Sequence, residues 1–293
     1  MAMVEKKSPS EKVLHGCNII VLALLSIIFL IPLWHCLMAS FSEPISLLSN
    51  RGLVLRPIGF SITAYSVVFR NPNILIGYGN TLFYVIVGTA INMTLTVIGG
   101  YCLAKNHCLW IRPLTLLIVF TMYADFGMIP AFLTVRDLGL YDSRWALLLP
   151  GAINTYNMIV MRTAFRGIPK SLEESAMLDG AGEVTVLVRI MLPVTKATSA
   201  VMFLLYAVAH WNSWFSASIY LQNRSKYPLQ LFLRETLIAN STAADGASID
   251  GFLYLDEAIK YCTIVIATFP ILCVYPFVQR YVVTGMMLGS VKE

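Results

Sequence analysis

Residues 164–196 read AFRGIPKSLEESAMLDGAGEVTVLVRIMLPVTK. In a chain dominated by apolar residues this stretch is a polar interruption, and it gathers four carboxylates: Glu173, Glu174, Asp179 and Glu183. Pro169 stiffens the entry. Ser171 followed three residues later by Glu174 has the form of a capping box, which predicts a helix beginning at Ser171. Gly180 predicts its end, because glycine accepts the left-handed conformation that closes many helices. A second helix is expected from about Glu183 towards Pro193. Leu172, Ala176 and the region of Ala181 would give the first helix a small apolar face. A projecting helix of that kind docks into a groove on another protein or rests on lipid. Lipid-lying helices carry Lys and Arg on the polar face, and this one is acidic, which favours a protein partner.

Outward from this segment the chain is hydrophobic. Of 293 residues, 57% are apolar and only 13% charged, about half the charge of an ordinary soluble domain, and the mean hydropathy is +0.72. A bilayer core of about 30 Å needs roughly 20 apolar residues in a helix. Six stretches qualify: 14–39, 80–104, 112–133, 145–163, 197–220 and 259–281. The expected fold is therefore an all-α integral membrane protein, residues 14–293, with six transmembrane helices. The polar segment 164–196 lies between helices four and five, and residues 1–13 form a short N-terminal segment. Pro32 falls inside the first stretch, where neighbours can re-satisfy the freed carbonyl. Pro150, Asn154 and Asn157 make the fourth stretch the least regular.

With the N-terminus inside, twelve of the 21 Lys and Arg residues fall on the cytoplasmic side and nine outside. The nine sit mostly in two long connections, 40–79 and 221–258, where charge has less say over topology. Both termini are accordingly placed in the cytoplasm. The first apolar stretch is too long for a cleavable signal. No basic run tracks phosphates, so nucleic-acid binding is not expected. Cys17, Cys36, Cys102, Cys108, Cys262 and Cys273 form no CxxC pair and are read as apolar packing. His15, His35, His107 and His210 have no metal-type spacing, and no GxxxxGK[ST] phosphate loop is present. The residues thus offer no catalytic or metal site; a passive channel and an integral membrane enzyme remain the rival classes to a transporter.

At the polar segment the chain resembles the permeases of binding-protein-dependent ABC importers. Their cytoplasmic pattern runs EAA, three residues, G, nine residues, I, one residue, L-P. Here it is met by Glu174, Ser175 and Ala176, then Gly180, then Ile190, then Leu192 and Pro193, with Ser175 the one departure. The stretches GMIPAFLTVRDLGLYDSRWALLLPGAINTYN, WNSWFSASIYL, YPLQLFLRETL and RYVVTGMMLGSVKE are similar to the carbohydrate-uptake, maltose-type branch, nearest its lipo-oligosaccharide and alginate-type second subunits. The resemblance implies a bacterial inner-membrane subunit that forms a pathway with a second, homologous permease and is fed by an extracytoplasmic sugar-binding protein. It implies a coupling helix at 171–180 seated on one of two ATP-binding cassette subunits. ATP and Mg would belong to that ATPase, and this chain would bind no cofactor. The coupling residues implied are Ser171, Glu173, Glu174, Ser175, Ala176, Asp179, Gly180, Ile190, Leu192 and Pro193. The cargo implied is an oligo- or polysaccharide, with an acidic, alginate-like one as the leading guess.

Sugars are held by aromatic faces and hydrogen-bonding side chains. In the fifth stretch these are Tyr206, His210, Trp211, Asn212 and Trp214. Tyr206 and His210 are four apart and Trp211 and Trp214 three apart, so each pair is expected to share a helix face. The tryptophans would equally suit an interfacial belt. Asp125 lies inside the third stretch; a membrane-embedded carboxylate costs roughly 2.5–3.5 kcal/mol and should face a wet cavity or a basic partner. Asn80, Asn154 and Asn157 make a weaker claim to the pathway, since Asn commonly bonds between helices.

Overall fold

The computed structural model describes residues 9–50, 52–105, 109–124, 126–243 and 253–288. Among them the regular structure is helical, apart from one isolated antiparallel bridge between Ser42 and Phe60. The helices are α1 (Pro9–Ser40), α2 (Pro44–Ser49), α3 (Thr63–Arg70), α4 (Pro72–Ala104), α5 (Ile111–Tyr123), α6 (Met128–Asp137), α7 (Trp145–Leu148), α8 (Thr155–Arg166), α9 (Lys170–Leu178), α10 (Glu183–Val186), α11 (Leu192–Val194), α12 (Lys196–Trp211), α13 (Trp214–Tyr220), α14 (Leu229–Ala243) and α15 (Leu253–Leu288). A π-helical turn at Leu187–Met191 joins α10 to α11.

α1 and α4 are each long and apolar enough to cross a bilayer unaided. Two further spans are reached if bent pairs are counted: α5 with α6, and Glu183–Val194 with α12. The third expected stretch is thus divided, its two helices differing in direction by 112°. Gly127 caps α6 at φ 85°, a conformation that ends one helix run and starts another. The fourth stretch is not one helix either. It consists of α7 and α8, separated by 149–154, where Pro150 lacks an N–H and the Asn154 side chain accepts from the Asn157 N–H at 3.0 Å. The fifth breaks at Asn212–Ser213. There the Asn212 amide donates to the Val208 carbonyl at 3.0 Å and the Ser213 hydroxyl to the His210 carbonyl at 2.8 Å, side-chain bonds that compete with the helix ladder.

The chain divides into two compact units, residues 1–70 with 236–266 and residues 71–235 with 267–293. In the first, the C-terminal end of α1 holds the following loop. His35 Nδ1 accepts from the Val54 N–H at 2.9 Å, and the Trp34 indole donates to the Leu55 carbonyl at 3.1 Å. Cys262 lies buried beside the Ser40 carbonyl. The five described cysteines are unpaired.

The second unit is organised on α4, which packs most extensively on α8 and α12. Glycines let the neighbours approach its backbone. A Cβ on Gly77 would meet Leu229 at 3.0 Å, one on Gly88 would meet His210 at 2.4 Å, and one on Gly100 would meet Met161 at 3.0 Å and the Arg162 backbone at 3.1 Å. Towards the polar segment, Val97, Tyr101, Met161, Phe165, Val186 and Met191 form a buried core. Towards the opposite end of α4, Tyr84, Leu147, Leu148, Ala217, Leu221 and Leu231 form another.

Candidate functional site

The polar segment folds as a short helix, a turn and a second helical stretch. α9 begins at Lys170, one residue before the expected start, and Ser171 is not its cap. Pro169 takes the N-cap position at φ −58°, ψ 129°, and no side chain caps the helix. The fixed φ and extended ψ of Pro169 end the preceding chain there, so the capping box of Ser171 and Glu174 is not formed. The far end agrees with expectation. Gly180 has φ 83°, its N–H donates to the Met177 carbonyl at 3.0 Å, and the Ala181 N–H donates to the Ala176 carbonyl at 2.9 Å. These two bonds are the pair of a Schellman motif. The hydrophobic contact that accompanies the motif is supplied by Ala176 and Ala181, both packed against the core beneath.

That packing divides the expected apolar face. Ala176 and Ala181 turn inward, whereas Leu172 is 46% and Leu178 89% exposed. No residue of α9 is buried; Ser171, Glu174, Ser175, Asp179 and Gly180 are all exposed. Of the downstream motif residues, Leu192 packs on the core, Ile190 is half-buried and Pro193 exposed.

Lys105, one residue past α4, ties the segment together. Its ammonium bonds Glu173 of α9 and lies 2.8 Å from Glu183 of α10, above the Tyr101 ring at 4.7 Å. The Tyr101 hydroxyl donates to the same Glu183 carboxylate. One cation therefore joins the end of α4 to both limbs of the turn. A cleft of about 350 Å³ opens beside it, lined among others by Lys105, Arg166, Lys170, Glu173, Glu174 and Met177. Sequence reading overlooked Lys105, counting it only as a topology charge; its partners are 68 and 78 residues away, a distance no local pattern reports.

The candidate pathway residues fall into separate environments. Asp125 lies outside the described residues. Tyr206 is buried and its hydroxyl shares a 2.7 Å hydrogen bond with Thr96. His210 is buried, with Nε2 2.6 Å from Asn92 Oδ1. The Asn92 amide nitrogen donates to the carbonyls of Gly151 at 2.6 Å and Ala152 at 2.9 Å. Carbonyls only accept, so the Asn92 oxygen faces the histidine and Nε2 carries the proton. Tyr206 and His210 do lie together on the α4 side of α12. Trp211 and Trp214 do not share a face, because the break at Asn212–Ser213 puts them on different helices. The Trp211 indole donates to the Ala267 carbonyl at 3.3 Å. Trp214 carries the Arg234 guanidinium 3.5 Å from its ring centre. Asn212 is exposed, and Asn154 serves as the cap of α8.

A polar clamp closes the end of the unit remote from α9. Asp142 has φ 51°. Its carboxylate accepts from the Asn223 and Gln222 N–H groups, both at 3.0 Å, and from Lys226 at 2.9 Å. The Asn223 backbone bond and then the Lys226 bond hold its pKa down at about 2. Beside it, Asn80 donates to the carbonyls of Ser225 and Tyr227 and accepts from Arg144 at 2.9 Å.

No family model matches the chain. Protein LplC of Bacillus subtilis is 40% identical over 282 residues, 96% of this chain and 95% of that protein. The polygalacturonan/rhamnogalacturonan transport system permease protein YtcP of the same organism is 38% identical over 273 residues, 92% and 95% of the two chains. A solved structure of a bacterial ABC transporter involved in the import of the acidic polysaccharide alginate superposes at TM-score 0.85 and 31% identity. It covers 95% of this chain and all of that one. With such relatives along nearly its whole length, an Ala-packed, glycine-ended turn on the polar segment, and helices built for a bilayer, the chain belongs to the permeases of carbohydrate-importing ABC transporters, non-catalytic membrane components of those systems.

Proposed function

We propose that this chain is one of two non-identical permease subunits of an ATP-driven importer of acidic oligo- or polysaccharide. It crosses the inner membrane six times with both termini in the cytoplasm, the broken stretches each serving as one span. An extracytoplasmic binding protein delivers the saccharide. Two ATP-binding cassette subunits bind ATP and Mg and carry out hydrolysis, and α9 with the Gly180 turn seats on one of them. The substrate class rests on relatives named for polygalacturonan and alginate.

The observation that carries the coupling reading is the build of α9. It has no buried residue, yet its shape is set from behind by the Schellman bonds, by Ala176 and Ala181, and by Lys105. A helix of nine residues is marginal alone in water; here it is braced on one side and open on the other, as a docking element must be. Movement of the ATPases would act on α9 and pass through Lys105 to α4. Nucleotide shifts the pathway only by its differential affinity for the two states.

The test is Gly180→Val. A Cβ at Gly180 meets nothing within 4 Å, so its cost is conformational: positive φ disfavours any L-residue by about 1 kcal/mol or more, and a β-branched one further. The variant should insert normally and lose copurification of the ATPase or substrate-stimulated hydrolysis in liposomes. Glu174→Lys, which places a cation in the first turns of α9, should act the same way. Wild-type levels of both activities in Gly180→Val would remove the coupling assignment.

A further inference from the structure

Two arginines at the end of the second unit remote from α9 lie on aromatic faces. Arg234 sits 3.5 Å above the centre of the Trp214 ring, and Arg144 sits 5.0 Å from that of Phe83. Trp214 and Phe83 pack against one and the same apolar core, so the two rings that carry the cations share one anchor. The other cations of this region are paired: Arg224 with Glu235 at 3.1 Å, Lys226 with Asp142 at 2.9 Å and Arg136 with Asp137 at 3.1 Å. Among the described residues, neither Arg144 nor Arg234 has a carboxylate within ion-pair distance, and the hydrogen bond of Arg144 goes to the neutral amide oxygen of Asn80. Both arginines are exposed.

A guanidinium resting on a ring spends its π face on the contact and keeps its N–H groups in plane, and those not already used, as one nitrogen of Arg144 is on Asn80, can bond a carboxylate. Stacking also removes much of the rotamer freedom that an arginine would otherwise lose on binding. An aromatic base beneath a fixed guanidinium suits a ligand with an apolar ring face and a carboxylate on the same residue. That is the chemistry of a uronic acid.

We propose that Arg234 on Trp214 and Arg144 on Phe83 form an anion-selecting site for the carboxylates of an acidic saccharide at the extracytoplasmic end of this subunit. The assignment rests on the acidic-saccharide reading above and on its topology, in which 134–144 and 221–258 are external. It adds the residues that read the charge. The two guanidiniums select by carboxylate, so a saccharide whose acids are esterified loses the contact while keeping its ring faces.

The experiment uses the complete importer with its binding protein in proteoliposomes. Uptake of a short oligogalacturonate is compared with uptake of its methyl ester. Arg234→Gln and Arg144→Gln should each raise the half-saturating concentration of the free acid about tenfold, the loss of one charge-assisted contact, and leave that of the ester at the wild-type value. Arg234→Lys keeps the charge without the planar fork and should restore only part of the loss; it also provides the comparison if Arg234→Gln assembles poorly. An equal change for acid and ester, or no change for either, overturns the site. So does an effect that disappears when anionic lipids are replaced by neutral ones, which would make the arginines headgroup anchors. If the wild-type importer takes up a neutral oligosaccharide and not the oligogalacturonate, the acidic-saccharide reading itself fails, whatever the variants do.

Discussion

Gly88→Ala probes how tightly the middle of the second unit is fitted. The added Cβ would lie 2.4 Å from His210 Nε2, 2.5 Å from Cε1 and 2.8 Å from Cδ2. Ordinary contact needs about 3.5 Å or more, so the ring must retreat by roughly 1 Å. The His210–Asn92 bond is only 2.6 Å long, and a retreat of that size takes it past hydrogen-bond range. Overpacking costs about 1–3 kcal/mol, and the unsatisfied buried pair adds about 1–3 kcal/mol. Against this stands the helix gain of alanine over glycine, about 0.5–1 kcal/mol. The net loss should be about 1–5 kcal/mol. Gly79→Ala, where a Cβ meets nothing within 4 Å, keeps only the gain and should be neutral or slightly stabilising. Heat or detergent unfolding of the two variants side by side measures the difference. Equal stability of Gly88→Ala and Gly79→Ala would refute the close fit of His210 on α4.

Three further outcomes are expected. Lys105→Met removes the cation that joins Glu173 and Glu183 to the end of α4, so substrate-stimulated ATP hydrolysis should fall several-fold, and adding Glu173→Gln and Glu183→Gln should not restore the link; wild-type stimulation in Lys105→Met would remove the bridge from the coupling route. Asp142 has a folded pKa of about 2, below its unfolded value of about 3.9, so its bonds stabilise the fold above pH 4 and that contribution is lost as pH falls through 2. The difference in melting temperature between wild type and Asp142→Asn should therefore be constant from pH 7 to about 4 and shrink towards zero near pH 2. For the topology, a cysteine at position 245 should be labelled from outside intact cells and one at position 7 only after permeabilisation; the reverse pattern refutes the orientation.

The parts of this fold legible in the sequence are those decided by local chemistry. α1 and α4 follow from unbroken apolar runs. The end of α9 at Gly180 follows from the one residue type that accepts φ 83° without strain. The start of α9 departs from the expected one because a capping box and a proline N-cap compete for the same turn, and Pro169, with its fixed φ, prevails. The breaks at Gly127 and at Asn212–Ser213 interrupt stretches whose composition alone reads as continuous helix, whereas the break at 149–154 falls where Pro150 and Asn154 already make the fourth stretch irregular. In a bilayer such breaks survive only where other groups take up the freed backbone, and the amide of Asn92, sixty residues from Ala152, does so here. The same remoteness hid Lys105 and the pairing of Arg234 with Trp214. Contacts of that kind are made by tertiary packing, and a single sequence carries no trace of them.

The glycine notches of α4 have a mechanical consequence. A smooth cylinder can turn about its axis or slide past its neighbours; a cylinder with side chains seated in its flank cannot. His210 from α12, Met161 from α8 and Leu229 from α14 each occupy such a seat. Any movement of α4 must carry those three helices along, as a key carries its shaft. Bending is then left to the places where the ladder is already interrupted: the 149–154 link, Asn212–Ser213, and the joint at Thr195, where the chain turns by 87°.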